Sequence, residues 1–209
     1  MLNKHLNSYS VMGFATFNKR PGVETSAIID ASLNWSREFL GPLEGIGFHC
    51  LFQNMNGGFA DIILATDFEA LGQMNEDFSS SETSAKMMQL LDPDSIKLNA
   101  MAISQEGFTP PEDFSCLEVG FMKSETSSKE QILKHSQMLE ENYLRKFDNT
   151  KGHFIGEIEP GSYTDVTFGR TLGDTRKICM DFDNDQTAKE FLSLFDPSSF
   201  KLDFWSLLA

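Results

Sequence analysis

The sequence predicts an α+β fold built from two ferredoxin-like βαββαβ units in tandem, with antiparallel sheets. The first observation is a repeat. Shifted by 104 residues, Leu90 to Leu98 falls on Leu194 to Leu202 without a gap, Asp92-Pro93 landing on Asp196-Pro197. The same shift puts Phe17 on Phe121, Ile28 on Ile132, His49 on His153, Gly57 on Gly161 and Asp61 on Asp165. Two copies of one unit follow, 1–106 and 107–209. The second observation is that each copy alternates strand-like and helix-like periods in the same order. The third is a strand face too apolar to leave bare.

Val11 to Phe17 and Ser115 to Lys123 are β-prone openings. A helix follows each. Ile28, Ser32, Trp35 and Phe39 form its stripe in copy one, and Ile132, Ser136, Leu139 and Tyr143 in copy two. Ser127 with Glu130 suggests a capping box. Phe48 to Asn54 and Phe59 to Ala65 flank Asn56-Gly57-Gly58, a hairpin turn, and Gly161-Ser162 stands at the matching place. Helical segments come next, Asp67 to Phe78 and Thr83 to Leu91, then Thr171 to Phe182 and Thr187 to Phe195. Asp-Pro ends each helical run, because proline cannot continue it. The last strands are Ile96 to Ile103 and Phe200 to Leu207. Thr109-Pro110-Pro111 stiffens the join.

The balance of 17 basic against 31 acidic residues, net −14, argues against nucleic acid as partner and against anionic membrane surfaces. No window approaches the ~18 apolar residues a spanning helix needs. Cys50, Cys116 and Cys179 are odd in number and form no CxxC, so reduced thiols in a cytoplasmic protein are expected. No metal and no cofactor are expected, since HxH, HExxH, P-loop and GxGxxG spacings are missing.

Period-two alternation divides each strand into two faces. Ile62, Leu64, Val166 and Phe168 are expected to face the helices, with Ile96, Leu98, Ala100, Phe200, Leu202 and Phe204. The opposite face then carries His49, Asp61 and Lys97, repeated as His153, Asp165 and Lys201, with Met12, Phe14, Glu118, Glu157, Asp203 and Trp205. Two such mixed faces stacked together would hide the apolar part and enclose the polar groups.

Asp61-Ile62-Ile63-Leu64, the acidic Phe-containing helix after it and Asp92-Pro93-Asp94-Ser95-Ile96-Lys97, repeated as Asp165-Val166 and Asp196 to Lys201, carry a resemblance. The chain resembles the dimeric α/β-barrel superfamily, which includes antibiotic-biosynthesis-monooxygenase-like proteins. The resemblance implies an intramolecular pseudo-dimeric barrel, the two sheets packed face to face. It also implies a monomer or weak homodimer, because the tandem copy supplies the interface that single-copy relatives obtain by dimerising.

The candidate chemistry rests on the repeated trio. His153 with Asp165 is the catalytic pair, histidine moving a proton near neutral pH. Lys201, Trp205, Glu118, Glu157, Asp203, His49, Asp61 and Lys97 are the ligand-binding candidates. Asp165 is expected across the hairpin from Glu157, where two close carboxylates raise one pKa. Copy two is more specialised, since Glu118 falls on Phe14 and Trp205 on Met101 under the shift. The expected function is binding of a small apolar or oxygenated molecule between the sheets, with a cofactor-free monooxygenase or isomerase activity. The alternatives are a non-catalytic carrier, a sensor or a structural barrel, in which the trio belongs to the inherited fold.

Overall fold

The computed structural model describes residues 1–4 and 6–209. The chain divides into two compact units. Unit 1 holds Met1–Ala100, Glu106–Thr109 and Leu207–Ala209, and unit 2 holds Met101–Gln105 and Pro110–Ser206. No helix among the described residues is long and apolar enough to cross a membrane.

Unit 1 begins with a short strand, β1 (Leu2–Asn3), followed by β2 (Val11–Phe17), α1 (Thr25–Trp35), β3 (Ile46–Asn54), β4 (Phe59–Ala65), α2 (Phe68–Phe78), α3 (Glu82–Met88) and β5 (Lys97–Ile103). The strand order is β1-β3-β4-β2-β5. Asp67 caps α2 by accepting from the Ala70 amide, and Ser81 caps α3 by accepting from Ser84. Gly57 turns the hairpin at φ +84°, a backbone region that glycine occupies freely. The chain's last residues join this unit: the Leu51 amide donates to the Ala209 carbonyl at 2.8 Å.

Unit 2 runs β6 (Cys116–Lys123), α4 (Lys129–Asn142), β7 (Thr150–Glu159), β8 (Ser162–Gly169), α5 (Leu172–Met180), α6 (Gln186–Leu192) and β9 (Lys201–Leu207). Its order is β7-β8-β6-β9, and the end of β5, which from Met101 on belongs to this unit, pairs with β7 through Ala102–Glu157 and Ile103–Gly156. Each unit is therefore βαββαβ with a split second helix, as the period counts require. The capping box of α4 is Ser128 with Gln131, one residue beyond the expected pair. Ser127 instead donates its hydroxyl to the Leu194 carbonyl.

The faces of the middle strands are the reverse of the expectation. Leu51 and Ile63 pack with Ile28 and Trp35 of α1, and Ile155 and Tyr163 pack with Ile132 and Leu139 of α4. The helix-facing side therefore carries His49, Asp61, His153 and Asp165. Ile62, Leu64, Val166 and Phe168 point the other way and are also fully buried. Alternation cannot choose between two faces that both leave water. The last strand is as expected at Ala100, which joins the unit 1 core, and at Phe204, which lies under the Arg176 guanidinium of α5. Leu98 and Leu202, at the same place in each repeat, are 73% and 47% exposed rather than core.

The first strands are offset by one residue from the gapless repeat. Phe17 pairs with Phe59, whereas Tyr163, the repeat of Phe59, pairs with Met122. The Asn18 amide donates to Ser95 Oγ, and the Lys123 amide makes the same bond to Ser199. The structural counterpart of Glu118 is thus Gly13, not Phe14.

Candidate functional site

Four strands and helices converge on one cluster in unit 2. His153 on β7 donates from Nε2 to Asp165 Oδ1 on β8 at 2.7 Å. Its Nδ1 lies 3.8 Å from Glu140 Oε2 on α4. The other Glu140 oxygen accepts from Arg145 at 2.9 Å near the surface. Glu118 enters from β6, whose register places it beside Thr167 and places Gly120 beside Asp165. Glu118 and Asp165 are therefore diagonal neighbours on one face, about 7 Å apart in backbone. The Glu118 carboxyl leans over Gly120: an added Cβ there would stand 3.1 Å from Glu118 Oε1.

Glu118 is 3% exposed, and its Oε2 is buried with no hydrogen-bond partner. That is costly unless the oxygen carries a proton or meets a ligand. Glu118 and Asp165 line a cavity of about 200 Å³ walled by Met122, Phe182, Phe191 and Phe200. Lys201 and Leu202 line it as well, and both are exposed.

Burial first, and then the Asp165 charge, push the Glu118 carboxyl well above the usual carboxylate range, against the opposing pulls of His153 and of the Thr167 hydroxyl. Burial opposes a charge on His153, but the Asp165 and Glu140 carboxylates outweigh it and raise the ring to about 10. The hydrogen bond to His153 holds Glu140 below its ordinary value. Burial and the neighbouring Glu118 keep the Cys179 thiol protonated. At neutral pH the cluster holds an imidazolium at His153 and a carboxylate at Glu140, beside a Glu118 carboxyl that burial raises. An imidazolium has no vacant nitrogen to receive a proton, and both nitrogens of this ring face carboxylates.

Unit 1 holds the same His–Asp pair in a different setting. His49 Nε2 lies 3.0 Å from Asp61 Oδ1, and Nδ1 bonds the Ser36 hydroxyl. The Trp35 ring meets His49 edge-on at 5.2 Å. Ser36 stands where unit 2 has Glu140, Ile63 where it has Thr167, and Leu71 where it has Thr175. Gly13, the counterpart of Glu118, is filled by Leu71, whose Cδ1 lies 3.4 Å from where a Cβ would be.

The structure brings together His153, Asp165 and Glu118, with Lys201 on the same cavity. His49 and Asp61 meet, while Lys97 is exposed and stands apart from that pair. Glu157 lies opposite Tyr163, not Asp165, and its carboxylate takes an ion pair from Lys129 at 2.5 Å. The carboxyl that neighbours Asp165 is Glu118. Asp203 is exposed and is not among the residues of the cavity wall, and Trp205 is buried opposite Leu117 on the neighbouring strand. Glu140, Thr167 and Gly120 escaped the sequence reading. The available signal was a polar or smaller residue in copy two wherever copy one is apolar or neutral.

No family model matches the chain, and no curated protein matches it in sequence. Solved structures do match in shape. One is described as "Putative monooxygenase" from Fusobacterium nucleatum: TM-score 0.66 at 10% identity, covering 98% of this chain and 94% of that one. An anthrone oxidase-like protein matches with TM-score 0.65 at 9% identity, covering 100% and 94%. A heme-binding protein from Thermus thermophilus matches with TM-score 0.60 at 12% identity, covering 96% and 92%. At these identities the likeness shows the fold alone: this chain has the dimeric α+β-barrel fold, carried as two ferredoxin-like units.

Proposed function

We propose that unit 2 binds a small apolar, oxygenated molecule in the cavity beneath α5 and α6, with Glu118 meeting the oxygen of the ligand. The observation that carries this reading is the buried, unpartnered Oε2 of Glu118 on a wall that is otherwise mostly apolar. A cavity with an apolar lining and few convergent polar groups is the usual form of a small-molecule site. The reaction class that fits is cofactor-free: an isomerisation or an oxygenation begun by proton removal. Similarity in shape to proteins described as a monooxygenase and an anthrone oxidase-like protein is in keeping with it.

Native mass spectrometry of the purified chain tests the binding. A mass increment over the 23.5 kDa chain, from a co-purified small molecule, that is lost in Glu118→Gln supports it. Retention of the same molecule in Glu118→Gln places the ligand elsewhere and overturns it.

A second reading is a non-catalytic carrier. It is favoured by unit 1, where the same His–Asp pair is walled by Trp35 and Ser36 and so serves the fold. Binding without turnover of any carbonyl compound would select it.

A further inference from the structure

We infer that Glu118 and Asp165 form a split acid–base pair for keto–enol interconversion of a small apolar carbonyl compound, with His153 and Glu140 as positioning residues. This rests on the cavity being a ligand site, and it names the substrate class and the role of each group.

Three geometric facts carry it. Glu118 and Asp165 belong to adjacent strands, diagonal on one face, and both line the same cavity. Asp165 is bound at 2.7 Å by a ring whose far side meets Glu140, so the imidazole is fixed against Asp165. Glu118 has no such cation in contact; it lines the cavity, and its buried Oε2 has no hydrogen-bond partner. Two carboxyls in one site with environments pushed apart are an acid and a base. The remaining titratable groups facing the pair are Cys179 from α5, Cys116 from β6 and Lys201 from β9. Neither thiol is activated, since burial raises both.

The step balances without a co-reactant. The Asp165 carboxylate removes a proton from the carbon beside the carbonyl. The C–H electron pair becomes the C=C bond, and the carbonyl π electrons move to oxygen, which takes the proton of Glu118. The proton left on Asp165 then passes to the neighbouring Glu118 carboxylate, and both groups return to their starting states. A carboxylate stabilised by a cation is a weak base, so the substrate must be an activated one, such as a carbon between two carbonyls. A cavity of about 200 Å³ lined by phenylalanine rings suits an aromatic compound of about a dozen heavy atoms.

Repeat one supplies the internal contrast. It keeps the His49–Asp61 pair, yet Gly13 replaces the acid and Ser36 replaces the clamp. The pair survives there without the groups that would make it a catalyst.

The test uses the full chain and benzoylacetone, a phenyl-substituted β-diketone. Its keto–enol interconversion is followed by ultraviolet absorbance, and its binding by protein NMR shifts. The wild-type protein should accelerate interconversion over buffer. Glu118→Gln and Asp165→Asn should each lower the acceleration at least tenfold. Glu140→Ser, which restores the residue of repeat one, should lower kcat and move the acidic limb of the pH–rate profile upward while leaving KM within twofold. Binding at the cavity with no acceleration over buffer overturns the inference and leaves the ligand site standing. Absence of any binding overturns both. A rate unchanged in both Glu118→Gln and Asp165→Asn assigns the chemistry to other residues and also overturns it. If Glu118→Gln does not fold, Asp165→Asn and the wild-type pH profile, which must fall as Glu118 ionises, decide the matter.

Discussion

The carboxyl of Glu118 occupies the space that a side chain at Gly120 would fill, with Oε1 3.1 Å from the position of the missing Cβ. The glycine is thus a seat for the acid, directly opposite Asp165 in the strand register. Repeat one has Ala15 at this place and no acid to seat, since Gly13 is the counterpart of Glu118.

Gly120→Ala should displace the Glu118 carboxyl by a few tenths of an ångström at constant fold. The expected outcome is about tenfold weaker binding of benzoylacetone, or about 1.4 kcal/mol. NMR titration with an unchanged urea midpoint checks it. Unchanged affinity would mean that the carboxyl position is not critical.

Stability should fall as pH rises above neutral. The His153 ring has its folded value raised from 6.5 to about 10. Its contribution is therefore complete below about 6.5 and is lost progressively towards 10. Glu118 is raised too, so the unfolded carboxyl releases its proton first and the loss has the same sign. Urea unfolding at pH 6 and pH 9 should show a lower midpoint at pH 9, the unfolding free energy being smaller by on the order of a few kcal/mol. A midpoint that rises between these pH values would refute the imidazolium assignment.

His153→Ala should flatten that pH dependence and also lower stability at pH 6. It leaves the buried Asp165 without the cation that holds it, a change that costs about 3–5 kcal/mol. Urea titration of the variant at both pH values reads the two effects separately.

Trp35→Phe should cost about 1–3 kcal/mol, because Nε1 donates at 2.9 Å to the buried Ser84 hydroxyl, which then loses its partner. Ser84→Ala in the same background should recover part of the loss. Thermal melts of the two single variants and the double variant measure the coupling.

Ser128→Ala should cost about 1 kcal/mol, since Ser128 and Gln131 satisfy each other's backbone amides at the start of α4. Ser127→Ala removes a different bond, to the Leu194 carbonyl, and should leave the α4 amides protected. Amide hydrogen exchange at the first turn of α4 distinguishes them.

The sequence by itself determined the two-unit organisation, the βαββαβ order, the turns at Gly57 and Gly161, and the meeting of His49 with Asp61 and His153 with Asp165. Those features are local, or recur at a fixed spacing on facing strands. Tertiary structure decided which way the pairs point. Every residue of β4 and most of β3 are buried on both sides, so alternation marks two faces without saying which meets the helices. It also decided what Glu118 replaces, because one residue fewer between β6 and α4 than between β2 and α1 shifts β6 against β8, and no gapless comparison shows it. Glu140 reaches His153 only because α4 packs over β7, a contact between residues thirteen apart in sequence that no local pattern encodes.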